Sequence, residues 1–312
     1  MEFIKHFNNL SKSDTPIAGG KGASLGEMTA AGIPVPPGFV VLAGSFDAFI
    51  TANGLATKID TKLARVDTQN IGLLDEISEK IRKMILDSKM PEDIENDIEI
   101  HFKSLDAELV AVRSSATAED GASASWAGEL ESYLNTTQDT LLENVQRCWA
   151  SLFTPRAIIY RIEKKMSADA VSVAVVVQKM VQSDVSGITF TVHPVTKDAN
   201  QMVIEAGWGL GEAIVGGQVT PDNYIINKDD MSIADSYISD QEMMIVRSPE
   251  GTKEQDVPAD KVSMQKLEGS KIIELAKICA GIEKHYGFPC DIEWAMEKDK
   301  LYIVQSRPIT TL

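Results

Sequence analysis

The chain has 312 residues, 44% hydrophobic and 24% charged, with 46 Asp and Glu against 30 Lys and Arg for a formal net charge of −16 at pH 7. This composition excludes disordered and fibrous classes and provides enough apolar material for one large domain or two lobes. The negative charge opposes nucleic acid and anionic membrane surfaces, so a nucleotide ligand needs a local basic pocket.

Two further features bound the class. Cys148, Cys279 and Cys290 form no Cys-x-x-Cys pair and leave an odd one, which favours small buried hydrophobes over a disulfide framework or a zinc cluster. The longest apolar runs, such as 170–177, fall short of the roughly 20 residues of a membrane helix, and residues 1–5 lack a signal peptide's apolar core. A cytoplasmic protein is expected.

From the N-terminus, Gly19-Gly20-Lys21-Gly22-Ala23-Ser24-Leu25-Gly26 places a lysine inside a glycine cluster ahead of a helical stretch. Glycines let backbone N–H groups approach an anion, and a lysine adds a full charge, the chemistry of a polyphosphate cradle. Lys21 is followed by Gly22 and not by Ser or Thr, so the P-loop pattern fails and a plain turn stays open as the alternative.

The spacing predicts a short helix over 24–31, ended by Gly32 and the Pro34-Val35-Pro36-Pro37-Gly38 run, then a strand over 39–42. Apolar residues at Ile77, Ile81, Met84 and Ile85, then at Ile94, Ile98 and Phe102, predict two scaffold helices, with Pro91 opening the second. A strand is expected over 109–113, with Arg113 at its end, placed for bidentate phosphate contact. Residues 114–128 lack apolar periodicity and read as a loop, either a lid hinged at Gly121 and Gly128 or a plain surface loop. A long amphipathic helix is expected over 140–165, kinked or broken at Pro155.

Strands follow over 171–178, 187–192, 202–206 and 224–227, then a helix over 271–286 and two closing strands over 291–296 and 301–306. Period two puts Asp291 and Glu293 on one face of the first closing strand, opposite Ile292, Trp294 and Met296. A three-residue loop, 298–300, would pair Glu293 with Gln305 and Asp291 with Arg307, leaving Tyr302 and Val304 on the apolar face; a two-residue turn would pair Glu293 with Val304. The three-residue loop is the expectation, and it assembles a carboxylate, an amide oxygen and a guanidinium suited to Mg²⁺ bridging phosphate oxygens. A solvated strand face with a cross-strand ion pair is the alternative. The glycines at 207, 209 and 211 do not fit G-x-G-x-x-G, and His6, His101, His193 and His285 have no metal-ligand spacing.

Taken in order, Gly19 to Met28 with Pro34 to Phe39, Val112-Arg113-Ser114-Ser115-Ala116-Thr117-Ala118-Glu119-Asp120, Gly207-Trp208-Gly209-Leu210-Gly211-Glu212 and Asp291-Ile292-Glu293-Trp294 with Gln305-Ser306-Arg307-Pro308 closely resemble the nucleotide-binding domain of the phosphoenolpyruvate synthase and pyruvate phosphate dikinase family. The resemblance covers essentially the whole chain. It implies an α+β, ATP-grasp fold with ATP held between two lobes, about 1–180 and 181–312.

By the same resemblance, Lys21, Arg113 and Arg307 contact phosphates as the catalytic set. Glu293 and Gln305 bind Mg²⁺ with Asp291 close by, and Gln178, Met180 and Val181 belong to an adenine-facing hinge. Ser123 to Gly128 form a phosphate lid, and Arg156 is a further phosphate ligand.

The implied activity is phosphoryl transfer from ATP to a histidine on a separate swivelling domain, leading to phosphoenolpyruvate from pyruvate. A similar rifampin phosphotransferase, or a non-catalytic nucleotide-binding module, are the alternatives. The histidine and acceptor domains of the family have no counterpart in these residues, so an excised piece or a split-gene subunit is expected, with those domains as partners.

Overall fold

The computed structural model describes residues 1–117, 131–164, 172–248 and 251–310. Contacts divide the chain into two compact units, one of residues 1–27 and 37–180 and the other of residues 28–36 and 181–312.

The elements of the first part of the chain are β1 (Ile4–His6), α1 (Thr15–Ala30), β2 (Gly38–Val41), α2 (Ala43–Ala52), α3 (Ala56–Leu63), α4 (Ile71–Leu86), α5 (Glu92–Ser104), β3 (Val110–Ala116), β4 (Ser132–Thr136), α6 (Gln138–Ala150), α7 (Pro155–Glu163) and β5 (Val173–Lys179). The strands form an antiparallel sheet in the order β1-β2-β5-β3-β4. Helical spacing turns Ile77, Ile81 and Ile85 of α4, Ile94, Ile98 and Phe102 of α5 and Leu141, Val145 and Trp149 of α6 into one core with Val110, Val112, Val173, Val175 and Val177 of the sheet. Each such side chain contributes about 1.5–3 kcal/mol as it leaves water.

Several boundaries differ from the sequence reading, each for a local reason. Arg113 does not end its strand but sits inside β3, which continues to Ala116 opposite Val173. The long helix does break at Pro155, as the sequence reading allowed: Thr154 accepts the N–H of Ala157 at 3.2 Å and Pro155 takes the first helical position, so a new helix starts there. Pro91 is the N-cap of α5 rather than its first turn.

In the second part, β6 (Val185–Phe190), β7 (Gln201–Trp208), α8 (Glu212–Val215), β8 (Asp222–Asn227), β9 (Ser232–Tyr237), β10 (Met243–Ser248), β11 (Gly251–Asp256), α9 (Gly269–Tyr286), β12 (Cys290–Glu297) and β13 (Lys300–Pro308) follow. The sheet is antiparallel in the order β13-β12-β6-β7-β8-β9, and β10 and β11 form a separate ribbon. Helix α9 packs on β7 and β12, burying Ile272, Leu275, Ala276, Cys279 and Ile282. Beneath it lie Ile292 and Trp294 of β12, Met202 and Ile204 of β7 and Tyr224 of β8, all buried.

The opposite face of this sheet carries a different row. Register places Gln305, Glu293, Ile188, Glu205 and Asn223 side by side across β13, β12, β6, β7 and β8. The four from Glu293 to Asn223 are half-buried, whereas the residues under α9 are fully buried. This face is closed at one end, where Ile214 of α8 and Gln241 pack against Gly207.

Candidate functional site

In the first unit, Lys21 lies in a helical turn and not in a loop ahead of it. Helix α1 begins upstream at Thr15 and is interrupted at Gly19, whose φ of 69° and ψ of 171° are non-helical. Gly19 is required twice over: its φ favours glycine, and a Cβ there would lie 2.3 Å from the carbonyl oxygen of Ser115. Ser115 Oγ donates to the Ala18 carbonyl at 2.9 Å and accepts the N–H of Gly22 at 3.2 Å. The lysine turn is thereby bound to β3, two residues along the strand from Arg113 on the same face.

The C-terminal hairpin carries Asp291, Glu293, Gln305 and Arg307. Glu293 pairs with Gln305 and Asp291 with Arg307, but the route differs from the sequence expectation. The turn has two residues, Lys298 and Asp299, with φ of 50° and 66°, and closes on the Glu297–Lys300 pair. The register then shifts between Glu293 and Trp294, so that Val304 is the extra residue of a β-bulge. Without the bulge the two-residue turn would have set Glu293 against Val304. A consequence is that Leu301 and Ile303, both buried, join the apolar face, and Tyr302 takes the polar one opposite Ala295.

Two cross-strand contacts organise the polar face. Gln305 Nε2 donates to Glu293 Oε1 at 3.0 Å. Arg307 donates through Nε to Asp291 Oδ2 at 2.8 Å, and its Nη2 lies 2.8 Å from the same oxygen. Asp291 Oδ1 is buried without a hydrogen-bond partner.

Two strands away, Glu205 has its carboxyl pKa raised, chiefly by burial; the Asn223 side chain opposes the shift and the charge of Asp291 adds to it. Sequence reasoning missed Glu205, which lies two residues ahead of the glycine motif. Its signal was the strand alternation of β7, which puts it on the polar face.

The glycine turn itself is fastened to the protein rather than open to an anion. Trp208 N–H donates to Gln241 Oε1 at 2.9 Å, Gly209 N–H to the Asp184 carbonyl at 3.0 Å and Leu210 N–H to the Ile245 carbonyl at 2.8 Å. Gly209, at φ 86°, would bring a Cβ within 2.5 Å of the Ile245 oxygen. Gln178 is buried on β5, and Met180 donates its N–H to the Leu109 carbonyl at 3.0 Å. Val181 is buried and opens the second segment of the second unit. Arg156 is exposed in the first turn of α7, and Ser123 and Gly128 lie outside the described residues.

The remaining candidates are structural. His193 Nδ1 accepts the N–H groups of Val195 and Thr196 at 3.2 and 3.3 Å, which closes a turn. The three cysteines are buried and free, with Cys148 and Cys279 pushed up to about 12 and Cys290 to about 11 by burial. Among the described residues no group of three or more His, Cys, Asp or Glu is arranged to hold a metal, and no helix is long and apolar enough to cross a membrane.

The family model for the pyruvate phosphate dikinase AMP/ATP-binding domain matches residues 15–312. The chain belongs to this family. A probable phosphoenolpyruvate synthase of Methanocaldococcus jannaschii is 48% identical over 320 residues, covering 100% of this chain and 27% of the relative. The phosphoenolpyruvate synthase of Pyrococcus furiosus is 44% identical, over 99% of this chain and 44% of its own length. A rifampicin phosphotransferase of Bacillus cereus is 39% identical, over 99% and 36%. The chain thus spans less than half the length of each of these relatives. Among solved structures, a D-alanine–D-alanine ligase of Helicobacter pylori aligns over 75% of this chain and 53% of its own at 9% identity and a TM-score of 0.32.

For a pyruvate phosphate dikinase-type AMP/ATP-binding domain, the donors on the polar face fit Mg²⁺ chemically. Glu293, Gln305 and Asp291 offer oxygen atoms only, the choice of a hard cation, and Asp291 Oδ1 is a buried acceptor with nothing bonded to it.

Proposed function

We propose that this chain binds Mg-ATP and is the nucleotide domain of a phosphotransferase that phosphorylates a histidine on a separate domain, with phosphoenolpyruvate synthase as the whole enzyme. The observation that carries the reading is the pair of cross-strand contacts, Gln305 to Glu293 and Arg307 to Asp291, side by side on a sheet face that α9 leaves uncovered. The family membership and the identity to phosphoenolpyruvate synthases support it.

In this reading Glu293 and Gln305 hold the magnesium ion, which neutralises charge on the phosphate oxygens when bound. Arg307 contributes a planar fork for phosphate, oriented by Asp291. Lys21 and Arg113 neutralise further phosphate charge, with Ser115 fixing the turn that carries Lys21. Gln178, Met180 and Val181 line the adenine. Positioning and charge neutralisation supply most of phosphoryl-transfer catalysis, which suits a site built from cations and oxygen donors.

The test is calorimetric titration with ATP in Mg²⁺ and in EDTA, followed by a trans assay with labelled ATP, candidate histidine domains and pyruvate or rifampicin. Lys21→Ala and Glu293→Gln are each expected to weaken Mg-dependent binding or transfer by about 1–3 kcal/mol, the scale of a lost charge-assisted contact. Unchanged affinity and unchanged transfer in both variants would sink the assignment. Label reaching rifampicin but not pyruvate would transfer the reading to a rifampicin phosphotransferase.

A further inference from the structure

Glu205 has no role in the site as described above, yet its place in the sheet ties it to that site. It lies opposite Ile188 of β6, and Ile188 lies opposite Glu293 of β12, so one isoleucine separates the two glutamates on the same face. With strands about 4.8 Å apart, their Cα atoms are roughly 10 Å apart. That span lets two extended glutamate side chains converge on one small object above the isoleucine.

The surroundings of Glu205 favour a cation as that object. Its neighbour Asn223 contributes a neutral amide hydrogen bond, and Asp291 acts on it with a like charge. Among the described residues Glu205 forms no ion pair. A half-buried carboxylate facing a second carboxylate is disfavoured unless a cation arrives with the ligand.

We propose that Glu205 is a positioning residue for the divalent cation of the nucleotide, accepting a hydrogen bond from a water molecule held on the ion, with Asn223 fixing its orientation. The inference rests on the Mg-ATP reading of the Glu293–Gln305 site. Mg²⁺ keeps several of its waters when bound by proteins, so carboxylates beyond its direct ligands matter to its affinity. Through this residue the polar row would extend from the hairpin to β7 and β8.

The experiment is a Mn²⁺ titration of the chain with a non-hydrolysable ATP analogue, read by electron paramagnetic resonance, beside analogue affinity in EDTA. Glu205→Gln, isosteric and half-exposed, is expected to raise the Mn²⁺ midpoint about 10-fold, as loss of an outer-sphere partner does, while metal-free analogue affinity and the thermal midpoint stay unchanged. Glu205→Asp should recover part of the loss, and Asn223→Ala should produce a smaller one.

Glu293→Gln separates the two readings. If it raises the midpoint and Glu205→Gln does not, the inference about Glu205 is overturned and the site stands. If neither variant moves the midpoint, the site reading fails and the inference with it. A loss of metal-free affinity in Glu205→Gln equal to its loss with Mn²⁺ also overturns the inference, because it places Glu205 on the nucleotide or in the scaffold.

Discussion

Arg307 places both Nε and Nη2 on a single oxygen of Asp291, each at 2.8 Å, and leaves the other oxygen buried and unbonded. A fork that used both oxygens would satisfy the carboxylate; this one leaves an acceptor on the polar face. Asp291 thus holds the guanidinium through one oxygen and keeps the other unbonded. Asp291→Asn is expected to weaken Mg-dependent nucleotide binding, measured by calorimetry, by about 1–3 kcal/mol. The cost to folding stability in urea should be smaller, below about 1 kcal/mol, since Arg307 is 43% exposed and solvent screens the pair. A larger loss in folding than in binding would assign the pair to the scaffold.

The hairpin shows how far the sequence reaches. Alternation in 291–296 gave the acidic face correctly, because side-chain period is a property of each strand alone. Register is a property of two strands and their turn, and Leu301 to Gln305 contain no glycine or proline to mark a bulge at Val304. The expected pairing was reached by assigning the extra residue to the loop, whereas the structure puts it in the strand. Strands β9 and β11 were not legible at all: β9 is exposed at every position and β11 reads Gly-Thr-Lys-Glu-Gln-Asp, so neither carries the apolar alternation that betrays a strand. The Ser115 clamp on Gly19 joins residues far apart in sequence, and only the structure brings them together.

That clamp makes Gly19 and Ser115 sensitive positions. Gly19→Ala forces a Cβ into the backbone of Ser115 at a φ of 69°, combining overlap with backbone strain. A loss of about 2–4 kcal/mol is expected from the two together. Ser115→Ala avoids any overlap but leaves the Ala18 carbonyl and the Gly22 N–H without their partner, for about 1–3 kcal/mol. Urea unfolding measures both, and an unaffected Gly19→Ala variant would show that the turn is not held against β3 in solution.

Lys266 and Asp222 form an ion pair at 2.8 Å in which both side chains are fully buried. It is satisfied on all sides: Asp222 also accepts from the N–H groups of Ser239 and Lys266 and from the hydroxyl of Tyr224, and Lys266 donates to the Ser239 carbonyl. Removing one partner strands a buried charge. Lys266→Met is therefore expected to cost about 3–5 kcal/mol in urea unfolding, and the double variant with Asp222→Asn to be less damaged than Lys266→Met alone. Additive losses in the double variant would contradict a coupled pair.

His6 and His101 meet in a tilted pair with ring centroids 5.0 Å apart, each also against Phe39, which brings β1, β2 and α5 together. Burial is the main cause that lowers the His6 pKa below the ordinary imidazole value, and the charge of His101 adds to it, against a hydrogen bond from the ring to the Gly38 backbone that raises it. His101 Nδ1 in turn bonds the Asp97 carbonyl at 2.8 Å and lies 3.4 Å from its carboxylate. With a lowered pKa in the folded chain, the unfolded chain binds the proton more readily. Stability should then be fully present above about pH 6.5, the unfolded imidazole pKa, and fall as pH drops through that value toward the lower folded one. His6→Gln removes this titration, so its urea midpoint should decline less than that of the parent chain between about pH 7.5 and 5. Parallel declines in the two proteins would show that His6 does not sense pH through its contact with His101 and Phe39.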